Sequence, residues 1–159
     1  PIIEDKNGRM SSSRIRAALN SGDLNAAKAL LGRSYNFRGV VIKGKGLGRK
    51  LGWPTANLQV NGRKFLPQEG VYAAFAIESQ TSIKYPAVMN LGPQPTIDPS
   101  SPSAVEVHLL EREIDLKGNE LTIEPVERLR GQIKFESLET LSNQIKLDAS
   151  LAKQSLGIN

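Results

Sequence analysis

The sequence predicts a mainly β fold: an antiparallel sheet, curled toward a barrel, with helices at both ends. Three observations carry this. Apolar residues recur at helical spacing up to Leu31 and again after Ser137, but alternate with a period of two between Tyr35 and Val126. The alternating segments number five or six, and each is short. What separates them is Gly, Pro, Ser and Asp rather than helix-forming sequence, which disfavours βαβ units.

Each element has its own signal. Ser11, Ser12 and Ser13 are cap candidates ahead of Ile15, Ala18 and Leu19, and Asn20-Ser21-Gly22 breaks the run. Asp23 can cap a second short helix with Leu24, Ala27 and Leu31 on one face, which Gly32 ends. Phe37/Val41 and Val40/Ile42 then alternate as a strand, and Gly70–Ile77, rich in Val, Tyr and Phe, reads as another. Tyr85–Leu91, Ala104–Leu110 and Leu121–Val126 follow as short strands. Leu138, Leu141, Ile145 and Leu151/Ala152 restore the helical period. There is no internal repeat and no low-complexity tract.

Composition bounds the chemistry. The 159 residues, 39% hydrophobic, can form a core without covalent staples. With no Cys, disulfides, thiolate zinc sites and cysteine nucleophiles are excluded together. One His, at position 108, excludes clustered-histidine metal sites. The longest apolar stretch, Val71 to Ile77, falls far short of the roughly 20 residues that cross a bilayer, and no signal peptide is visible. The chain reads as a soluble, intracellular-type domain. Its net charge of +5 is uneven: residues 1–64 hold 13 Lys/Arg against three acids, and residues 65–159 hold eight against 13. A basic half suits an anionic partner, either nucleic acid or the phosphates of a nucleotide. Eight aromatics without Arg interleaving support a single-strand stacking platform only weakly.

Unusual residues collect in loops, where function tends to sit. Gly44-Lys45-Gly46-Leu47-Gly48-Arg49-Lys50-Leu51-Gly52 follows the first strand. Glycines let backbone N–H groups approach an anion, and Lys45, Arg49 and Lys50 supply charge. It is neither a Walker loop nor a Rossmann fingerprint, so phosphate binding and a flexible basic hairpin both fit it. A second loop, Gly92 to Ser103, carries four prolines, and a third, Glu111 to Asn119, is charged. Thr55 and Asn57 stand two apart after Pro54. In an extended segment they share one side and offer hard oxygen ligands of the kind Mg²⁺ accepts; in a turn they bond their own backbone, the plainer reading of the pattern. Glu106 shares a strand face with Ala104, His108 and Leu110, opposite Val105, Val107 and Leu109. It is either a solvated-face carboxylate or a general base. His108 reads as a half-buried, hydrogen-bonded sheet residue.

At these residues the sequence resembles the riboflavin kinase family, specifically the kinase module of bacterial bifunctional FAD synthetases. The resemblance is carried by Leu51-Gly52-Trp53-Pro54-Thr55-Ala56-Asn57, Gly70-Val71-Tyr72, Asn90-Leu91-Gly92 with Pro95-Thr96, and Glu106-Val107-His108-Leu109-Leu110. It continues through Leu129-Arg130 and Lys134-Phe135-Glu136-Ser137-Leu138. Ser11-Ser12-Ser13-Arg14-Ile15-Arg16, followed by Leu30-Leu31-Gly32-Arg33, looks like the tail of the adenylyltransferase module that precedes the kinase.

The resemblance implies a six-stranded antiparallel Greek-key β-barrel over 34–159, short N-terminal helices and a C-terminal helix, with 1–33 as adenylyltransferase tail or helical linker. It implies a cytoplasmic fragment whose adenylyltransferase half, and that activity, are missing. The implied reaction moves the γ-phosphate of ATP to the 5′-hydroxyl of riboflavin, giving FMN and ADP. Glu106 is the implied base, and Thr55 and Asn57 the Mg²⁺ ligands. Gly44, Gly46, Gly48, Arg49, Leu109, Glu111 and Lys117 fall where the family contacts ATP, and Arg130 and Phe135 where it holds flavin. The sequence departs from the family pattern at Lys117 (usually aromatic), Gly131 (usually Pro), Ile133 (usually polar and flavin-facing) and Gln94 (often Arg). None of these removes the magnesium pair or the base. The competing readings are a non-catalytic flavin-binding barrel and a basic barrel that binds nucleic acid; the kinase reading expects neither nucleic acid nor membrane as a partner.

Overall fold

The structure, a computed structural model, describes residues 12–42, 55–61, 64–92, 105–110 and 115–158. Helix α1 (Ser12–Asn20) and helix α2 (Leu24–Leu31) precede strands β1 (Phe37–Ile42), β2 (Ala56–Gln59), β3 (Gly70–Glu78), β4 (Lys84–Leu91), β5 (Val105–Leu109) and β6 (Glu120–Arg130); helix α3 (Leu138–Leu156) follows. All strand pairs are antiparallel, and the sheet closes in the order β1-β2-β5-β4-β3-β6. The run β3-β4-β5 with β6 returning beside β3 is a Greek key. Closure leaves no exposed sheet edge, so a barrel of short strands satisfies its backbone without a second sheet.

Local chemistry explains the element boundaries. Asp23 caps α2 by accepting from the Ala26 N–H at 2.9 Å, and Gly32, at φ 72°, ends it in the left-handed region. Ser137 and Thr140 form a reciprocal capping box at the start of α3. Pro86 and Pro125 are tolerated inside strands because both lie just beyond a ladder: β4 pairs with β5 only from Ala87, and β6 pairs with β1 only as far as Ile123.

One segment differs from the plainer expectation. Residues 56–59 are a strand rather than a turn after proline, with Leu58 buried in the barrel and Asn57 directed the other way. A four-residue strand carrying one core residue is too short for periodicity to reveal; its pairing with β1 and β5 makes it.

The barrel is filled by Phe37, Val41, Leu58, Tyr72, Met89, Leu91, Val105, Val107, Leu121 and Ile123. Burial pushes the Tyr72 hydroxyl up to about 12, so it stays a neutral donor, and it bonds the Gln68 carbonyl. Helices α1 and α2 add Leu19, Leu24 and Ala27 to the same core. Helix α3 packs outside the barrel on β3, β4 and β6. Val71 and Ala73 are buried there but stand apart from the core cluster, which places them beneath α3. The outer wall is therefore covered on the β3, β4 and β6 side, while exposed Gln59 and Glu106 mark an open face on β2 and β5. Among the described residues, no helix is long and apolar enough to cross a membrane.

Candidate active site

A row of register partners crosses the outer wall, from the open face of β2 and β5 to Val71 and Arg130 beside α3. Ile42 pairs with Asn57, Asn57 with Glu106, Glu106 with Asn90, Asn90 with Val71, and Val71 with Arg130. Residues paired across antiparallel strands share a face. Val105 and Val107 fill the barrel, so Glu106 between them must point outward, and it is exposed. Asn57 is half-buried on one side of it and Asn90 exposed on the other. Neighbouring strands lie about 4.8 Å apart, so the backbones of Asn57 and Asn90 flank that of Glu106 at about one strand spacing on either side. Among the described residues, no hydrogen-bond donor takes up the Glu106 carboxylate.

Thr55 is exposed and directly precedes β2, two residues before Asn57. The hydroxyl and the amide oxygen are hard, neutral donors. Such a pair suits Mg²⁺ when phosphates and waters complete its octahedron. Among the described residues no group of three His, Cys, Asp or Glu is arranged to hold a metal. A cation held by Thr55 and Asn57 would therefore need its charge balanced by a bound anion.

The far end of the row is differently built. Arg130 donates from Nε to Asp148 Oδ1 at 2.9 Å and from Nη2 to Oδ2 at 2.7 Å, a bidentate pair that ties β6 to α3. Asp148 is only 3% exposed and also accepts from Gln144 Nε2 at 3.0 Å. The Arg130 guanidinium lies 5.9 Å from the centre of the half-buried Phe135 ring, and its Nη1 donates to the Gly131 carbonyl. Arg130 thus spends much of its donor set inside the protein, fixing the ground on which Phe135 rests.

The structure brings some of the sequence-predicted residues together and leaves others apart. Asn57 and Glu106 are adjacent, with Thr55 next along the chain; Arg130 and Phe135 share the other end. Lys117 is exposed in a turn whose Gly118 N–H and Asn119 carbonyl bond Val41, beside Ile42 at the start of the row. Leu109 lies on the core-facing side of β5 and packs against the barrel core, away from the Glu106 face. Gly44, Gly46, Gly48, Arg49 and Glu111 lie outside the described residues, as do Gln94, Pro95 and Thr96.

Three residues were not singled out by sequence: Asp148, Gln132 and, in any role, Asn90. Alternation along Tyr85–Leu91 puts Asn90 outward, but only the β4–β5 register puts it beside Glu106. A separate cleft of about 230 Å³ lies at the helical end, lined by Arg16, Arg33, Tyr35, Lys64 and Phe65 among others. It shares no residue with the row. Burial, and next the neighbouring Arg33, lowers the Lys64 ammonium from its ordinary value.

Comparison with known proteins shows the family. The family model described as Flavokinase: Riboflavin kinase matches residues 31–156. The bifunctional riboflavin kinase/FMN adenylyltransferase of Pseudomonas fluorescens is 38% identical over 146 residues, 91% of this chain and 46% of that protein. Its Haemophilus influenzae counterpart is 37% identical over 158 residues, 96% of this chain and 50% of that protein. The chain spans about half the length of the curated relatives it matches. Among solved structures, one described as a macrolide-efflux protein from Streptococcus pneumoniae superposes with a TM-score of 0.82 at 33% identity, covering 96% of this chain and 49% of that one. The riboflavin kinase of Trypanosoma brucei, at 21% identity and a TM-score of 0.51 over 77% of this chain and 79% of its own, shares the fold. The family model spans all six strands and most of the chain: this chain belongs to the riboflavin kinase family.

Proposed function

We propose that the chain is an ATP:riboflavin 5′-phosphotransferase, forming FMN and ADP, and that the row on the outer wall is its reaction centre. The observation that carries this reading is the Asn57–Glu106 register pair: an oxygen donor suited to a magnesium–phosphate complex beside an uncommitted carboxylate. Phosphoryl transfer needs little more than alignment, charge neutralisation and a proton acceptor.

In this reading Thr55 and Asn57 hold Mg²⁺, which neutralises phosphate charge when bound. Glu106 accepts the proton of the attacking 5′-hydroxyl as the oxygen–phosphorus bond forms and the bond to ADP breaks. Arg130 stands two strand spacings, about 10 Å, from Asn90 around the wall, and with Phe135 beside it forms the proposed flavin end. Phe135 supplies the apolar contact; Arg130, committed to Asp148, acts as its support more than as a free donor. Gly44, Gly46, Gly48, Arg49, Leu109, Glu111 and Lys117 remain the proposed ATP contacts, with Leu109 limited to an edge contact by its inward direction.

Residues 1–33 are read as the tail of an adenylyltransferase module or a helical linker, and 34–159 as the kinase domain. The proposed partners are ATP and riboflavin, with an FMN adenylyltransferase module in the parent chain, in the cytoplasm. The experiment is FMN formation from riboflavin, ATP and Mg²⁺ by the purified chain, followed by chromatography with an EDTA control. Magnesium-dependent FMN without FAD supports the reading. Saturable flavin binding without FMN overturns it in favour of a carrier barrel.

A further inference from the structure

The hydrogen bonds around Asn90 fix which way its amide is turned. Gln132 Nε2 donates to the Leu91 backbone carbonyl at 2.9 Å. A carbonyl can only accept, so the Gln132 atom at that position must be its nitrogen. The same Nε2 lies 3.0 Å from Asn90, so the Asn90 atom facing it must be the acceptor, Oδ1. The Nδ2 arm of Asn90, with two N–H donors, is left over, and no acceptor among the described residues takes it. Asn90 is exposed and is the register partner of Glu106 on the side away from Asn57.

The row therefore has an order: oxygen donors for the metal–phosphate end, then the carboxylate, then a pair of oriented amide donors, then the Arg130–Phe135 end. Asn90 is the register position between Glu106 and the Val71–Arg130 end, so a riboflavin with its ring toward Phe135 and its 5′-hydroxyl at Glu106 brings its ribityl chain toward Asn90. That chain offers hydroxyl oxygens, which accept from an N–H₂ group. We infer that Asn90, with its amide oriented by Gln132, reads a secondary hydroxyl of the substrate's polyol chain and so helps to set substrate specificity; the inference rests on the kinase reading above. Gln132 is a positioning residue, acting only through Asn90.

The test compares riboflavin with its 2′-, 3′- and 4′-deoxyribityl analogues in the wild-type chain, Asn90→Ala, Asn90→Ser and Gln132→Ala. A hydrogen bond to a buried substrate hydroxyl is worth about tenfold in kcat/KM, so the wild-type chain should disfavour at least one analogue by about that factor. In Asn90→Ala riboflavin falls to the level of that analogue and the preference disappears, while KM for ATP is unchanged. Asn90→Ser keeps a donor and should retain part of the preference, and Gln132→Ala should lie between wild type and Asn90→Ala. An Asn90→Ala chain that keeps the wild-type preference, or a wild-type chain that distinguishes none of the analogues, overturns the inference. If the wild-type chain forms no FMN, the kinase reading fails separately, and the four flavins are ranked by fluorescence quenching instead. A binding preference lost with Asn90 then supports the inference; a retained preference, or no flavin binding, overturns it.

Discussion

Asn57 on β2 and Glu106 on β5 are register partners, and the pairing sets an amide oxygen and a carboxylate side by side on the outside of a closed barrel. The two residues are 49 positions apart, and neither belongs to a helix or a long element. Their separation is fixed by backbone hydrogen bonds rather than by side-chain packing. A site built on paired strands is held more rigidly than one built on loops, which is what phosphoryl transfer asks of its ligands and base.

If Thr55 and Asn57 hold Mg²⁺ as proposed, Asn57→Ala should raise the Mg²⁺ concentration needed for half-maximal FMN formation by about tenfold, because one of the two protein oxygen donors is lost. KM for riboflavin should not move. A magnesium titration of initial rates checks this, and an unchanged magnesium requirement would remove Asn57 from the metal site.

Asp148→Ala should destabilise the protein by about 3 kcal/mol, read as a fall in the urea midpoint, because it leaves the Arg130 guanidinium partly buried without its carboxylate. The arrangement also explains why Arg130 was legible in the sequence only as a flavin contact. Its motif lies at the end of β6, but its partner is 18 residues on, in a helix whose apolar pattern gives no sign that an acid sits on the packed face. The fold was legible for the opposite reason. Five of the six strands carry alternating or continuous apolar residues long enough to register, and both helix ends carry caps. Strand β2 was hidden because Leu58 alone faces the core fully there, and closure of a barrel is a tertiary fact. Glu106 could be placed outward from Val105 and Val107, but its neighbours Asn57 and Asn90 could not, since strand order is not written in periodicity.

Gly70→Ala should cost about 2–3 kcal/mol, measured by thermal or urea unfolding. Gly70 has φ 151°, and a Cβ there would meet the Arg130 carbonyl oxygen at 2.6 Å and Arg128 Nε at 2.8 Å. Arg128 cannot retreat freely, because Nε and Nη2 both donate to the Glu69 carbonyl. Wild-type stability in this variant would contradict the close packing of β3 on the end of β6.

Glu78 should make part of the acid sensitivity. The Thr81 hydroxyl, at 2.6 Å, and the Thr81 and Gln80 backbone N–H groups hold its carboxyl below the ordinary carboxylate value, against the upward push of burial. A folded-state value below the unfolded one means that the ionised form stabilises the fold at neutral pH. That contribution is lost as pH falls through the ordinary carboxylate range toward the depressed folded value. Urea midpoints measured downward from neutral pH should fall less steeply for Glu78→Gln than for wild type, from a lower starting stability.

The proposed role of Glu106 is to take the proton of the attacking hydroxyl. It is tested most directly by the rate of FMN formation with Glu106→Gln under saturating ATP, Mg²⁺ and riboflavin. Loss of an aligned general base lowers kcat by about 10²–10⁴-fold. A fall in that range with an unchanged urea midpoint is expected, since the side chain is exposed and carries no described contact. A Glu106→Gln chain that makes FMN at the wild-type rate would contradict it.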